Sequence, residues 1–127
     1  PVMTMQAQVL AIQALKPGDT VGYGCRWTAQ VSTQIAVICL GYADGVPWNI
    51  PDGASVMIRG QRYPLVGRVS MDLLSVDIGF NAPVIVGDWA ILWGPQLPVE
   101  LLARAVGTIP YELVCRVGAR VKRRLID

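Results

Sequence analysis

No histidine occurs anywhere in the 127 residues. Without imidazole, neither a metal site nor a Ser–His–Asp arrangement is expected from this chain alone. The three cysteines, Cys25, Cys39 and Cys115, form an odd set with no CxxC spacing. That argues against a disulfide framework and fits a reducing cytoplasm. Long apolar runs are missing too, none approaching the roughly 20 residues that a membrane-spanning helix needs. Nor does a basic segment followed by an apolar one open the chain, so no signal peptide is expected. Charged residues are sparse, at 16% against 53% hydrophobic, which argues against disorder.

What remains suits one domain spanning 1–127, with a core large enough to hold without staples. Net charge is +2, carried by nine arginines and two lysines against nine acids. The basic residues gather in the closing stretch "CRVGARVKRRLID", where Val117, Val121 and Leu125 interleave them. That reads as a strand or edge with a solvated basic face rather than a nucleic-acid surface. The chain opens Pro-Val rather than with methionine, and its first strand has no polar lead-in. A piece of something larger is therefore expected.

Residues 2–14 alternate apolar and polar positions and predict a strand. "KPGD" at 16–19 predicts a turn. The β-branched run "QIAVICLGY" at 34–42 predicts a buried strand, and the proline- and glycine-rich 43–53 a loop. "ASVMIRG" and "QRYPLVGR" flank Gly60 as a hairpin would. Strands are also predicted over 70–79 and within 86–94. Residues 98–107 have helical character, with Pro98 early, Glu100 at the positive end and Gly107 to close. A short helical turn is expected at 110–116 and a last strand in the basic tail. Short strands at close spacing with turn signals between them predict a mainly β, small barrel-like domain with one or two short helices.

Four stretches set polar or glycine-flanked residues in apolar surroundings: "VGYG" at 21–24, "GYADG" at 41–45, "GRVSMD" at 67–72 and "TIPYE" at 108–112. Each has a purely structural reading. Tyr23 between two glycines fits a tight turn with its ring in water, or a phenol held out for chemistry. Tyr42 and Asp44 fit an Asx-type turn. Arg68 and Asp72 fit a surface ion pair, Met71 fits a core strand position, and Tyr111 fits a cap on the barrel.

Taken together in this order, with the connectors "LKPGDT", "VGDWAILWG" and "ELVCR", the four motifs resemble the carboxy-terminal domain of bacterial alanine racemases over nearly the whole chain. The resemblance implies a mainly β domain that follows a pyridoxal-phosphate-binding (β/α)₈ barrel absent from this chain. It implies a cytoplasmic homodimer in which each site joins one subunit's barrel to the other's β domain. L- and D-alanine would be interconverted by two bases, supplying D-alanine for peptidoglycan, with no nucleic acid or membrane as partner. Tyr23 matches the catalytic tyrosine, and Met71 the residue whose backbone amide meets the substrate carboxylate. Tyr42, Arg68 and Asp72 match the substrate entrance and Tyr111 its inner gate.

Racemisation takes a proton from one face of a planar carbanion and returns one to the other, so two bases on opposite faces are the simple solution. A phenol with pKa near 10 needs nearby cations to serve as one of them. No cofactor lysine is expected here, because Lys16 lies in the "KPG" turn and Lys122 in the basic tail; the chain alone is expected to be inactive. Two departures stand out. After "GYADG" the loop reads Val46-Pro47-Trp48 and lacks the usual arginine, and near the end "RVKR" places Lys122 where proline is common. A serine or broad-specificity racemase with the same domain, and a non-catalytic β-barrel interaction module, remain as alternatives.

Overall fold

The computed structural model describes residues 3–21, 27–51, 54–118 and 121. In chain order the strands are β1 (Met5–Leu15), β2 (Thr20–Val21), β3 (Trp27–Thr28), β4 (Thr33–Ile38), β5 (Ser55–Ile58), β6 (Gln61–Pro64), β7 (Leu74–Asp77) and β8 (Trp89–Trp93). Two helices follow, α1 (Val99–Val106) and α2 (Pro110–Cys115).

The alternation in β1 buries Met5 and Val9 and leaves Gln6, Gln8 and Leu10 in solvent. This strand is long enough to serve two partners in succession. Its first half pairs antiparallel with β8, Gln8 opposite Trp89, and its second half with β4, Ile12 opposite Ala36. Between Val9 and Ala11 the β4 register slips, leaving Leu10 as the extra residue of a bulge that bends the strand. The sheet runs β6-β5-β8-β1-β4-β7. A bridge from Leu65 to Val76, with the Val66 amide donating to the Ser75 carbonyl at 3.0 Å, brings its two ends together. The result is the nearly closed, barrel-like sheet that the strand spacing predicts. Closure leaves little free edge for another chain to pair with.

Val9, Ile38, Ile58, Val76 and Trp93 fill the interior. The β5–β6 hairpin turns through Arg59 and Gly60, both at positive φ (51° and 78°), the geometry whose twist matches paired strands. Asp88 ties that hairpin to the turn ahead of β8. Its carboxylate accepts Arg59 Nε at 2.7 Å, Arg59 Nη2 at 3.2 Å and the Ile85 amide at 2.9 Å. These bonds, Arg59 first, hold the Asp88 carboxyl below its ordinary value.

Both helices are shorter than the roughly 12–15 residues that a helix needs to persist alone, so packing must hold them. Glu100 and Arg104 sit at the ends of α1 where the dipole favours them. Gly107 closes it in the left-handed region, with the Thr108 amide donating to the Ala103 carbonyl at 2.9 Å. Leu102 and Ala103 face the core from α1, and Leu113, wholly buried, anchors α2. No helix among the described residues is long and apolar enough to cross a membrane.

Two strands are shorter than their apolar runs predict. The one expected over 34–42 ends at Ile38, and the one expected over 70–79 begins at Leu74. After Ile38 the chain turns back on its own backbone, and ahead of Leu74 the Ser70 side chain captures the Leu73 amide, as described below. The strand expected in the basic tail falls almost wholly outside the described residues.

Leu113→Ala is expected to lower stability by about 2–5 kcal/mol, because the cavity lies under a six-residue helix with little other anchorage. Chemical denaturation of the chain measures it. Asp88→Asn should lower the thermal midpoint near neutral pH. Because the folded-state pKa of Asp88 is depressed, its contribution is complete above the ordinary value of 3.8 and fades as pH falls through the lower folded value. The two proteins should therefore converge in midpoint as the solution is acidified below that range.

Candidate functional site

After β4 the chain cannot continue as a strand, because the Leu40 amide turns back to the Ile38 carbonyl at 2.9 Å. Gly41 stays extended at φ −146°, and Tyr42–Asp44 form a single 3₁₀ turn closed by Gly45 at φ 100°. The Asp44 carboxylate accepts the Gly41 amide at 3.0 Å, and the Asp44 amide donates to the Gly41 carbonyl at 2.9 Å. The Asx-type turn expected at Tyr42 and Asp44 thus has a counterpart here, with the carboxylate reaching back along the chain.

The second motif meets this turn main chain to main chain. Tyr42 and Ala43 donate their amides to the carbonyls of Ser70 and Met71, each at 3.0 Å. Gly41 lies so close that a Cβ there would overlap both carbonyl oxygens. Glycine is needed at 41 for approach, since its φ suits any residue. Residues 70–73 form their own tight loop. The Ser70 hydroxyl donates to the Leu73 carbonyl at 3.1 Å and accepts the Leu73 amide at 3.0 Å. That loop is why the strand starts only at Leu74. It also corrects the core reading of Met71, which is 52% exposed at the loop's outer side.

The fourth motif arrives from the other side. The Gly118 amide, just past α2, donates to the Asp44 carbonyl at 3.0 Å. A Cβ on Gly45 would overlap the Arg116 carbonyl, so positive φ and close approach both demand glycine there. Tyr111 stands in the first turn of α2 and is 74% exposed. The Cys115 side chain one turn on raises its phenol above the ordinary 10.0, by a side-chain hydrogen bond first and by charge second. Tyr42, at 45% exposure, also presents its ring outward.

The first motif is represented by its flank. Val21 pairs with Trp27 across β2 and β3, while Tyr23 itself lies outside the described residues. Gly67 runs against Val21, where a Cβ would lie 2.7 Å from the Val21 carbonyl oxygen. Between β2, β4 and the 68–75 stretch lies an open depression of about 490 Å³, lined among others by Val21, Val37, Arg68, Ser70 and Leu73. Arg68 and Asp72 are both exposed. Ion pairs join Arg59 to Asp88 and Arg116 to Glu112.

The described parts of the first three motifs thus meet in sequence, Val21 on Gly67 and residues 70–71 on the 42–44 turn, while residues 116–118, just past the helix that carries Tyr111, meet that turn from the other side. Ser70 and Gly118 carry no role in the sequence reading, yet they make the joints. Ser70 three residues before Leu73 is the kind of local capture that a serine in an apolar run signals. Gly118 has no such signal. Lys16 is exposed in the 16–19 turn, and Lys122 lies outside the described residues.

Gly41→Ala is expected to destabilise the chain by about 1–3 kcal/mol through crowding alone, as overpacked sites do. Denaturant unfolding checks it; an unchanged midpoint would mean the 70–71 loop yields freely.

Comparison with known proteins gives one answer throughout. Residues 2–125 match the family model described as alanine racemase, C-terminal domain. The alanine racemase of Shewanella sp. (strain ANA-3) is 50% identical over 121 residues, which are 95% of this chain and 34% of that protein. That of Vibrio cholerae is 50% identical over 122 residues, 96% of this chain and 34% of its own length. The crystal structure of biosynthetic alanine racemase from Pseudomonas aeruginosa superposes with a TM-score of 0.92 at 44% identity, over 95% of this chain and 34% of that one. The Bartonella henselae alanine racemase, solved with covalently bound pyridoxal phosphate, gives 0.92 at 35% identity over 97% and 34%. The chain spans about a third of the length of the curated relatives it matches.

Proposed function

The chain belongs to the alanine racemase C-terminal domain family, and from that we propose that it is the β domain of a pyridoxal-phosphate-dependent enzyme interconverting L- and D-alanine. The observation that carries this reading is the convergence of the motif segments. Tyr42, Met71 and Tyr111 are solvent-facing side chains on main-chain segments hydrogen-bonded to one another through residues 41–45. Ordinary structural residues would be expected to turn inward at such joints.

A covalently carried pyridoxal phosphate needs a lysine amine in a guarded site. Lys16 is exposed in a turn and does not fit the carrier role. The cofactor is assigned to the remainder of the full-length protein, where it supplies stabilisation of the carbanion. To this chain we assign recognition and proton handling. Tyr23 acts as the base for one face of the α-carbon, in the partner subunit's site of a homodimer. The Met71 amide meets the substrate carboxylate. Tyr42, Arg68 and Asp72 line the entrance, and Tyr111 serves as the inner gate. The full-length enzyme would work in the cytoplasm and supply D-alanine for peptidoglycan, while the 127-residue chain alone would be inactive.

In the full-length protein, Tyr23→Phe is expected to reduce L-to-D conversion of alanine by about 10²–10⁴-fold, the usual contribution of a positioned acid or base. Undiminished turnover would remove Tyr23 from the mechanism and favour an interaction module. Adding the 127-residue chain to that variant and recovering activity would establish that the tyrosine acts across subunits. Assaying serine and lysine beside alanine tests whether Trp48, 68% exposed in the loop after "GYADG", changes selectivity.

A further inference from the structure

A single 3₁₀ turn has too few internal hydrogen bonds to hold its own shape. The turn at 42–44 nevertheless stands at the meeting point of two other segments, and each contact is main chain to main chain. Asp44 takes part on every side. Its buried carboxylate accepts the Gly41 amide and so closes the turn that aims the Tyr42 and Ala43 amides at Ser70 and Met71. Its carbonyl accepts the Gly118 amide and so fixes the end of α2, the helix that carries Tyr111. A buried carboxylate is costly to desolvate, and a backbone amide donor is the kind of partner that offsets it.

We propose that Asp44 is a positioning residue: its carboxylate, by closing the 42–44 turn, sets Tyr42, Met71 and Tyr111 relative to one another. The proposal rests on the racemase reading for its catalytic consequence and on the geometry alone for its structural one. The distinction matters, because Asp44 acts through its neighbours and its loss should misplace several groups together. Misplacement on the scale of 1 Å costs about 10²-fold in rate.

The test uses the full-length protein carrying Asp44→Ala or Asp44→Asn, with alanine racemisation kinetics and hydrogen exchange followed by mass spectrometry. Asp44→Ala should speed amide exchange in three separated peptides, covering 41–45, 70–73 and 110–118. It should also lower kcat/KM for alanine by about 10²-fold. Asparagine keeps an acceptor oxygen for the Gly41 amide, so Asp44→Asn should restore protection in all three peptides and most of kcat/KM. Should Asp44→Ala fail to fold, Gly118→Ala offers a second route. It leaves the carboxylate intact but places a Cβ 2.9 Å from the Ala43 carbonyl oxygen. It should loosen 41–45 and 110–118 and spare 70–73.

Faster exchange confined to 41–45 in Asp44→Ala would overturn the proposal, whatever happens to activity. Loosening of all three peptides in Asp44→Asn would overturn its hydrogen-bond basis. Unmodified full-length protein without alanine racemisation would sink the functional reading instead, and the exchange data would still decide the role of Asp44.

Discussion

Two different neighbours share one strand in this fold, and that sharing constrains everything else. Through its first residues β1 is hydrogen-bonded to β8, and from Val9 onward to β4, with the bulge at Leu10 near the start of the second pairing. The half-sheet of β5, β6 and β8 and the half-sheet of β4 and β7 are therefore held at a bend rather than laid flat. That bend brings Leu65 to Val76 and lets the sheet ends meet. Once the barrel is nearly closed, the connections leaving β4 and entering β7 must emerge side by side, because those strands are neighbours. The candidate site is built from those two connections.

At that point the structure uses backbone rather than side chains as cement. Gly41 and Gly45 give up packing area so that main chains can approach within hydrogen-bonding distance of the 70–71 loop and the end of α2. The arrangement frees the larger side chains from structural duty. Tyr42, Met71 and Tyr111 remain exposed on that scaffold. Exposed apolar and aromatic groups on rigid main chain are costly as surface and useful as a site.

Much of this was legible in the residues. The hairpin at Arg59–Gly60, the helix closed by Gly107 and the short helix opened by Pro110 follow from local turn and capping chemistry, which acts over three or four residues. The ends of the strands expected at 34–42 and 70–79 were not. Apolar continuity argues for extension, but a backbone turn from Leu40 to Ile38 ended the first, and Ser70 took the Leu73 amide ahead of the second. The structural alternative for Met71, a core strand position, fails for the same reason, since Met71 is half exposed. Strand alternation has no meaning once the segment is a loop.

The sequence by itself determined the class of the fold, the turns, the two helices and the order of the four motifs, because these depend on short-range preference and on hydrophobic period. It also carried the family resemblance, since ordered motifs need no coordinates. Only the tertiary structure decided that the segments of residues 41–45, 67–73 and 116–118 lie against one another, and that Asp44 stands between them. Those contacts join residues far apart in the chain through amides and carbonyls that every residue possesses. Identity along the sequence therefore says nothing about which of them will meet.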